Sequence, residues 1–98
     1  MLIFVSYTLR DGVLSKSVLH ALREALSEYA DTYVDVLDNK APDPQAHVLT
    51  MLQRADLILA CETPQFYQSE WTQLELAFAE QRNIPIYRID AERLHKGC

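Results

Sequence analysis

Glycine is almost missing from these 98 residues. Only Gly12 and Gly97 occur, which excludes a glycine-rich loop that wraps phosphates in backbone N–H groups. Four prolines and two cysteines leave no proline-rich linker and no disulfide framework; Cys61 lies in an apolar run and reads as a small buried hydrophobe, and Cys98 is terminal. Basic residues are few: nine Lys and Arg face fourteen Asp and Glu, for a net charge of −5. They are also scattered, so the basic footprint of nucleic-acid binding is missing. No apolar run approaches the roughly 18 residues of a membrane span, and the first begins without a charged leader. Neither a signal peptide nor a membrane anchor is expected, and the cytoplasm is the expected location. His20, His47 and His95 fall on different elements without metal-ligand spacing, so no metal site is expected. No Ser or Cys pairs with a His in a nucleophile pattern.

What remains is a chain 49% hydrophobic, enough for one small folded domain over 1–98. Leu2-Ile3-Phe4-Val5 is a continuous apolar run, the pattern of a strand covered on both faces, and it gives way to the polar loop 6–12. Val18, Leu19, Leu22, Ala25, Leu26 and Tyr29 recur at helical spacing and predict a helix over about 14–30, with Asp11 as a candidate cap. Tyr33 to Leu37 reads as a second strand and 38–43 as a loop. Asp43-Pro44 opens a second helix that runs to about 55. A third strand is expected at 57–61, a third helix within 64–82, and a fourth strand at 84–89, where Pro85 is tolerable only at the beginning or on an edge. Residues 90–98 are a turn of helix or a frayed tail.

The order βαβαβαβ calls for right-handed crossovers and a parallel sheet. The expected fold is therefore α/β, a flavodoxin-like three-layer sandwich: a short four-stranded parallel sheet of order 2-1-3-4 with helices on both faces. Ligands of such sheets bind beyond the C-terminal strand ends at the switch point, here between strands 1 and 3, where the loops are 6–13 and 61–69. The third helix projects into that region. Helical spacing puts Trp71, Leu74 and Phe78 on one stripe, with Glu75 at its edge and one turn from Trp71. A carboxylate beside a large aromatic at this place is either a solvated rim residue or a site.

Two motifs bear on that choice. Thr63-Pro64-Gln65-Phe66 followed by Ser69-x-Trp71-Thr72-x-x-Glu75-Leu76 resembles the third conserved region of the Toll/interleukin receptor (TIR) domain family, with Thr72 where cysteine is usual. Ile3-Phe4-Val5-Ser6-Tyr7, with Asp11 following, resembles the family's first region. The family's second motif, an Arg-Asp-x-x-Pro-Gly loop, is replaced by Asp38-Asn39-Lys40-Ala41-Pro42-Asp43, and the family's usual fifth strand has no counterpart. In NAD-consuming members the glutamate of the third region is catalytic.

The resemblance implies an enzyme that cleaves the nicotinamide–ribose bond of NAD. Glu75 would be catalytic, and Ser6, Tyr7, Arg10 and Trp71 would contact the substrate, with NAD as substrate and no other cofactor. Spacing offers no obvious second acid, and NAD needs none: its nicotinamide leaves as a neutral molecule. Two other functions stay open. One is a TIR-like interaction and signalling module that pairs with itself or another TIR domain, through the altered second loop or the edge of strand 4. The other is a nucleoside deoxyribosyltransferase-like enzyme, suggested by Glu75-Leu-Ala-Phe-Ala79, in which Glu75 attacks the sugar and a neighbouring acid protonates the base.

Overall fold

The computed structural model describes residues 1–10 and 12–96. Along the chain run β1 (Leu2–Ser6), α1 (Lys16–Ser27), β2 (Asp31–Tyr33), α2 (Asp35–Asp38), α3 (Pro44–Arg54), β3 (Leu57–Glu62), a 3₁₀ turn (Phe66–Gln68), α4 (Glu70–Gln81), β4 (Ile86–Asp90) and α5 (Ala91–Lys96). The strands form one parallel sheet in the order β2-β1-β3-β4. Alternation along β1 sends Phe4 into a core built with Val48 and Leu52 of α3 and Leu76 and Ala79 of α4. Ile3 and Val5 point the other way, to Leu19 of α1 and Ala91 of α5. The fold is the expected flavodoxin-like α/β sandwich, with a helical layer on each face.

Three local readings of the sequence are corrected. α1 spans Lys16–Ser27 and is shorter than its apolar period suggested; Ser15 caps it by accepting from the Val18 N–H at 3.2 Å. Tyr29 lies beyond it and is exposed, and Asp11 lies outside the described residues. The second strand is not 33–37. The register Leu2↔Asp31, Ile3↔Thr32, Phe4↔Tyr33 places it two residues earlier, and Asp35–Asp38 turn helical. Acidic side chains capture the backbone and its neighbours there, competing with the sheet ladder. Asp38 accepts the Val34 N–H at 2.8 Å and pairs with the Arg23 guanidinium at 2.6 Å. Asp35 accepts from the Tyr33 hydroxyl at 2.9 Å and the Asn39 amide at 2.7 Å.

The third correction concerns the inner face of α4. The stripe Trp71, Leu74, Phe78 is not buried: Leu74 is exposed, and Trp71 and Phe78 are half-buried. The inward face is Thr72, Glu75, Leu76 and Ala79, spaced i, i+3, i+4, i+7 but carrying two polar side chains. Hydrophobicity alone therefore rotated the helix. Thr72 is accommodated because its hydroxyl donates to the Phe66 and Ser69 carbonyls at the end of the 3₁₀ turn, and Ser69 caps the helix by accepting the Thr72 N–H at 3.4 Å. At the other end Asn83, at φ 57°, takes the left-handed conformation that ends a helix, and the Ile84 N–H returns to the Ala79 carbonyl at 2.9 Å.

Thr72 is fully buried, so Thr72→Val keeps the shape and removes the donor. We expect it to lower the unfolding free energy by about 0.5–1.5 kcal/mol, the net worth of the lost hydrogen bonding, since the Ser69 and Gln73 N–H groups still donate to the two carbonyls. Urea unfolding of the two proteins checks this; equal stabilities would mean the hydroxyl does not hold the turn to the helix.

Candidate active site

β1 ends at the C-terminal edge of the sheet with Ser6, on the same face as Phe4 by strand alternation. Its register partner on β3 is Ala60, whose single methyl leaves space above the sheet. α4 crosses that space and directs Glu75 into it. The Ser6 hydroxyl donates to Glu75 Oε1 at 2.8 Å, and the glutamate is only 4% exposed. Beside the pair opens a cavity of about 340 Å³ lined by Tyr7, Thr8, Arg10, Asp35, Trp71 and Glu75, among others. A larger depression, about 570 Å³, lies at the opposite strand ends around Met1, Leu2, Asp31 and Asp56. It holds no buried acid, so the candidate site is the cavity at Glu75, where open parallel sheets take their ligands.

All five residues singled out by the sequence meet at this place. Glu75, Tyr7, Arg10 and Trp71 line it, and Ser6 lies behind Glu75, fully buried and joined to it by the hydrogen bond. Tyr7 is tied down: its hydroxyl accepts the Val36 N–H at 2.8 Å, which fixes the first loop against α2. Arg10 lies at the exposed rim, where Nη1 donates to the Gln68 carbonyl at 3.4 Å and bridges the mouth from the first loop to the 3₁₀ turn. Trp71 is half-buried, packing against the core while lining the cavity.

The site also contains what the sequence did not reveal. Thr8 lines it from a buried position, as does Ser69, the cap of α4. More important is Asp35, the second carboxylate whose absence the spacing had suggested. It reaches the cavity because β2 ends at Tyr33 and the chain turns at once into α2; as a mid-strand residue it would have been placed elsewhere. The only sequence signal was the run of polar residues Asp35, Asp38 and Asn39 within an apolar segment, a helix-turn pattern more than a strand pattern.

Burial pushes the Glu75 carboxyl up to about 8. The hydrogen bond from Ser6 favours the anion and limits the rise, while the negative charge of Asp35 adds to it. Burial likewise holds the Tyr7 phenol up at about 12, against the opposing pull of the Val36 N–H, so Tyr7 is a neutral wall with a fixed dipole. Burial thus brings the Glu75 carboxyl into the neutral range, where its charge depends on what enters the cavity. Among the described residues no group of three or more His, Cys, Asp or Glu is arranged to hold a metal ion, and no helix is long and apolar enough to cross a membrane. No protein-family model and no curated protein matches the chain, so the site has to be read from its own geometry.

The buried acid sets a pH dependence of stability. Between about 4.5, its ordinary value, and about 8, the folded chain keeps a proton on Glu75 that the unfolded chain has released. Folding then takes up a proton, and stability falls as pH rises through that window. Glu75→Gln retains an acceptor for Ser6 and cannot ionise. Its stability gain over the wild type should be small at pH 4, grow through pH 5–8 and level off above, at on the order of a few kcal/mol. Urea unfolding of both proteins at pH 4, 6.5 and 9 measures it; a gain that does not change with pH would mean the carboxyl is solvated.

Proposed function

We propose that this chain is a TIR-like enzyme that cleaves the N-glycosidic bond between nicotinamide and ribose in NAD, with Glu75 as its catalytic residue. The observation that carries the reading is a single desolvated carboxyl, hydrogen-bonded to Ser6 and lining a cavity at the C-terminal ends of β1 and β3. Its neighbours match the family's first and third regions: Ser6 and Tyr7 from one, Trp71 and Glu75 from the other. The reaction asks little more of the protein. The C1′–N bond breaks with both electrons passing to the pyridinium nitrogen, which becomes neutral, so no acid is needed at the leaving group. The ribose carbon becomes cationic, and an ionised Glu75 stabilises it from below in a low-dielectric setting. Water adds to C1′ and releases a proton, giving ADP-ribose; attack by a group of the same molecule gives a cyclic product. Arg10 at the rim is placed to meet the diphosphate.

Asp35 favours a second reading. With two carboxyls in one cavity, the chain has the set a deoxyribosyltransferase uses, one acid to attack the sugar and another to protonate the base. Against it, the buried carboxyl of Glu75 is largely protonated at neutral pH, which suits a nucleophile poorly. A cationic substrate resolves this by drawing the proton off as it binds.

Incubating the protein with NAD, dilute and concentrated, and separating the products by chromatography tests the proposal. The wild type should release nicotinamide and Glu75→Ala should not; equal consumption by both would remove Glu75 from the mechanism. If NAD is neither turned over nor stabilises the fold, an interaction module is the better account, and exchange of bases between deoxynucleosides would establish the second reading. Because Glu75 acts as the anion, kcat/KM should climb with pH and level off near pH 8, where its free carboxyl titrates. Ser6→Ala removes the hydrogen bond that favours the anion. Its profile should move to higher pH, so that more activity is lost at pH 7 than at pH 9; an unshifted profile would mean that Ser6 does not tune the acid.

A further inference from the structure

Asp35 and Trp71 line more than the Glu75 cavity. They also form one side of a smaller recess, about 160 Å³, that is completed by Pro44, Gln45 and Val48 at the start of α3. The two hollows are thus adjacent and share a carboxylate and an indole as their partition. Pro44, Val48 and Trp71 make the recess apolar on three sides, and Asp35 and Gln45 are its only polar contributors. Asp35 is held in place from outside: the Tyr33 hydroxyl and the Asn39 amide both donate to its Oδ1. Among the described residues no donor occupies Oδ2, so a carboxylate fixed through one oxygen keeps the other uncommitted, on a residue that lines both hollows.

An apolar slot about the size of one small ring, with an indole along one wall and a carboxylate at its edge, matches a flat cation. The ring stacks on Trp71, the positive charge faces Asp35, and the Gln45 amide can pair with a substituent that both donates and accepts hydrogen bonds. We infer that the recess is the subsite for the departing base, and that Asp35 makes the enzyme select glycosides whose base is a cationic ring over those with a neutral purine or pyrimidine. The inference rests on reading the Glu75 cavity as the ribose end of the site. In this arrangement the charge of Asp35 also favours the ground-state pyridinium, and that preference vanishes when the base becomes neutral, which promotes its release.

Trp71 is the only tryptophan in the chain, so its fluorescence reports directly on the recess. The full chain is titrated at pH 6.5 with 1-methylnicotinamide, a permanent cation because its ring nitrogen is methylated, and with nicotinamide, the same ring without the charge. The cation should quench saturably and bind ~10-fold more tightly or better, the size of one partly shielded charge contact. Asp35→Asn should remove most of that difference, leaving what the Trp71 ring face contributes. Gln45→Ala, at an exposed position, should weaken both ligands by a few-fold while the fold is kept, and Glu75→Gln should leave the preference for the cation in place. Equal affinity for the two rings, quenching by the cation that does not saturate, or an undiminished preference in Asp35→Asn would overturn the assignment. The wild-type comparison decides the matter even if Asp35→Asn does not fold. No turnover is involved: a protein that prefers the cation but leaves NAD intact keeps the subsite and loses the hydrolytic reading. One that cleaves NAD without the preference does the reverse.

Discussion

The hydrogen bond from Ser6 to Glu75 joins the last residue of β1 to the middle of α4, and the rest of this end of the molecule is arranged around what it requires. A carboxyl taken out of water needs a donor, a gap in the packing and a helix that presents it inward. Ser6 is the donor, and Ala60, its neighbour on β3, leaves the gap. The inward aim comes from the way α4 is anchored. Thr72 grips the carbonyls of the 3₁₀ turn, Ser69 caps the first turn, and Asn83 ends the last. With both ends fixed, the helix cannot rotate to bring its more apolar stripe inward and put the acid in solvent. Its exposed Leu74 is the consequence of this rotational constraint.

The second loop is organised by the same logic of polar capture. Asp38 binds the Arg23 guanidinium of α1 and the Val34 N–H, and Tyr7 from the first loop accepts the Val36 N–H. These contacts hold α2 between α1 and the mouth of the cavity. Asp35 therefore stands where two loops and a helix converge, and its position depends on residues far apart in the chain. A carboxylate delivered in this way is fixed in orientation without being buried, the complement of Glu75, which is buried without a countercharge.

How much of this could be read from the residues follows from the kind of signal each part gives. Continuous apolar runs at 2–5 and 57–61 and the Asp43-Pro44 helix start are local, and they located β1, β3 and α3. The parallel sheet followed from crossover rules that act on any βαβ chain, and the order 2-1-3-4 from the flavodoxin-like fold expected of it. Glu75, Ser6, Tyr7 and Trp71 were picked out by motif and Arg10 as the cation of the first loop; four of the five line one cavity, and Ser6 is bonded to Glu75 behind it. The failures were failures of burial. Tyr33 to Leu37 has the composition of a strand, but its pairing is set by register with β1, and side-chain carboxylates then compete for its N–H groups. On α4, a threonine and a glutamate occupy the inward face, so the apolar stripe lies about a third of a turn away from it. Both misreadings arose where polar side chains replace the hydrophobic pattern, and both places border the site.

The acid's setting has an evolutionary corollary. Because burial disfavours the ionised carboxyl, a side chain at 75 that cannot ionise is expected to raise stability near neutral pH, and random substitution would then tend to erase the glutamate. Leucine or methionine could enter the same gap beside Ala60 with no need for the serine. A chain that carries both Ser6 and Glu75 would on that account lie below the stability its fold allows, as proteins commonly do where a site requires a group that folding does not.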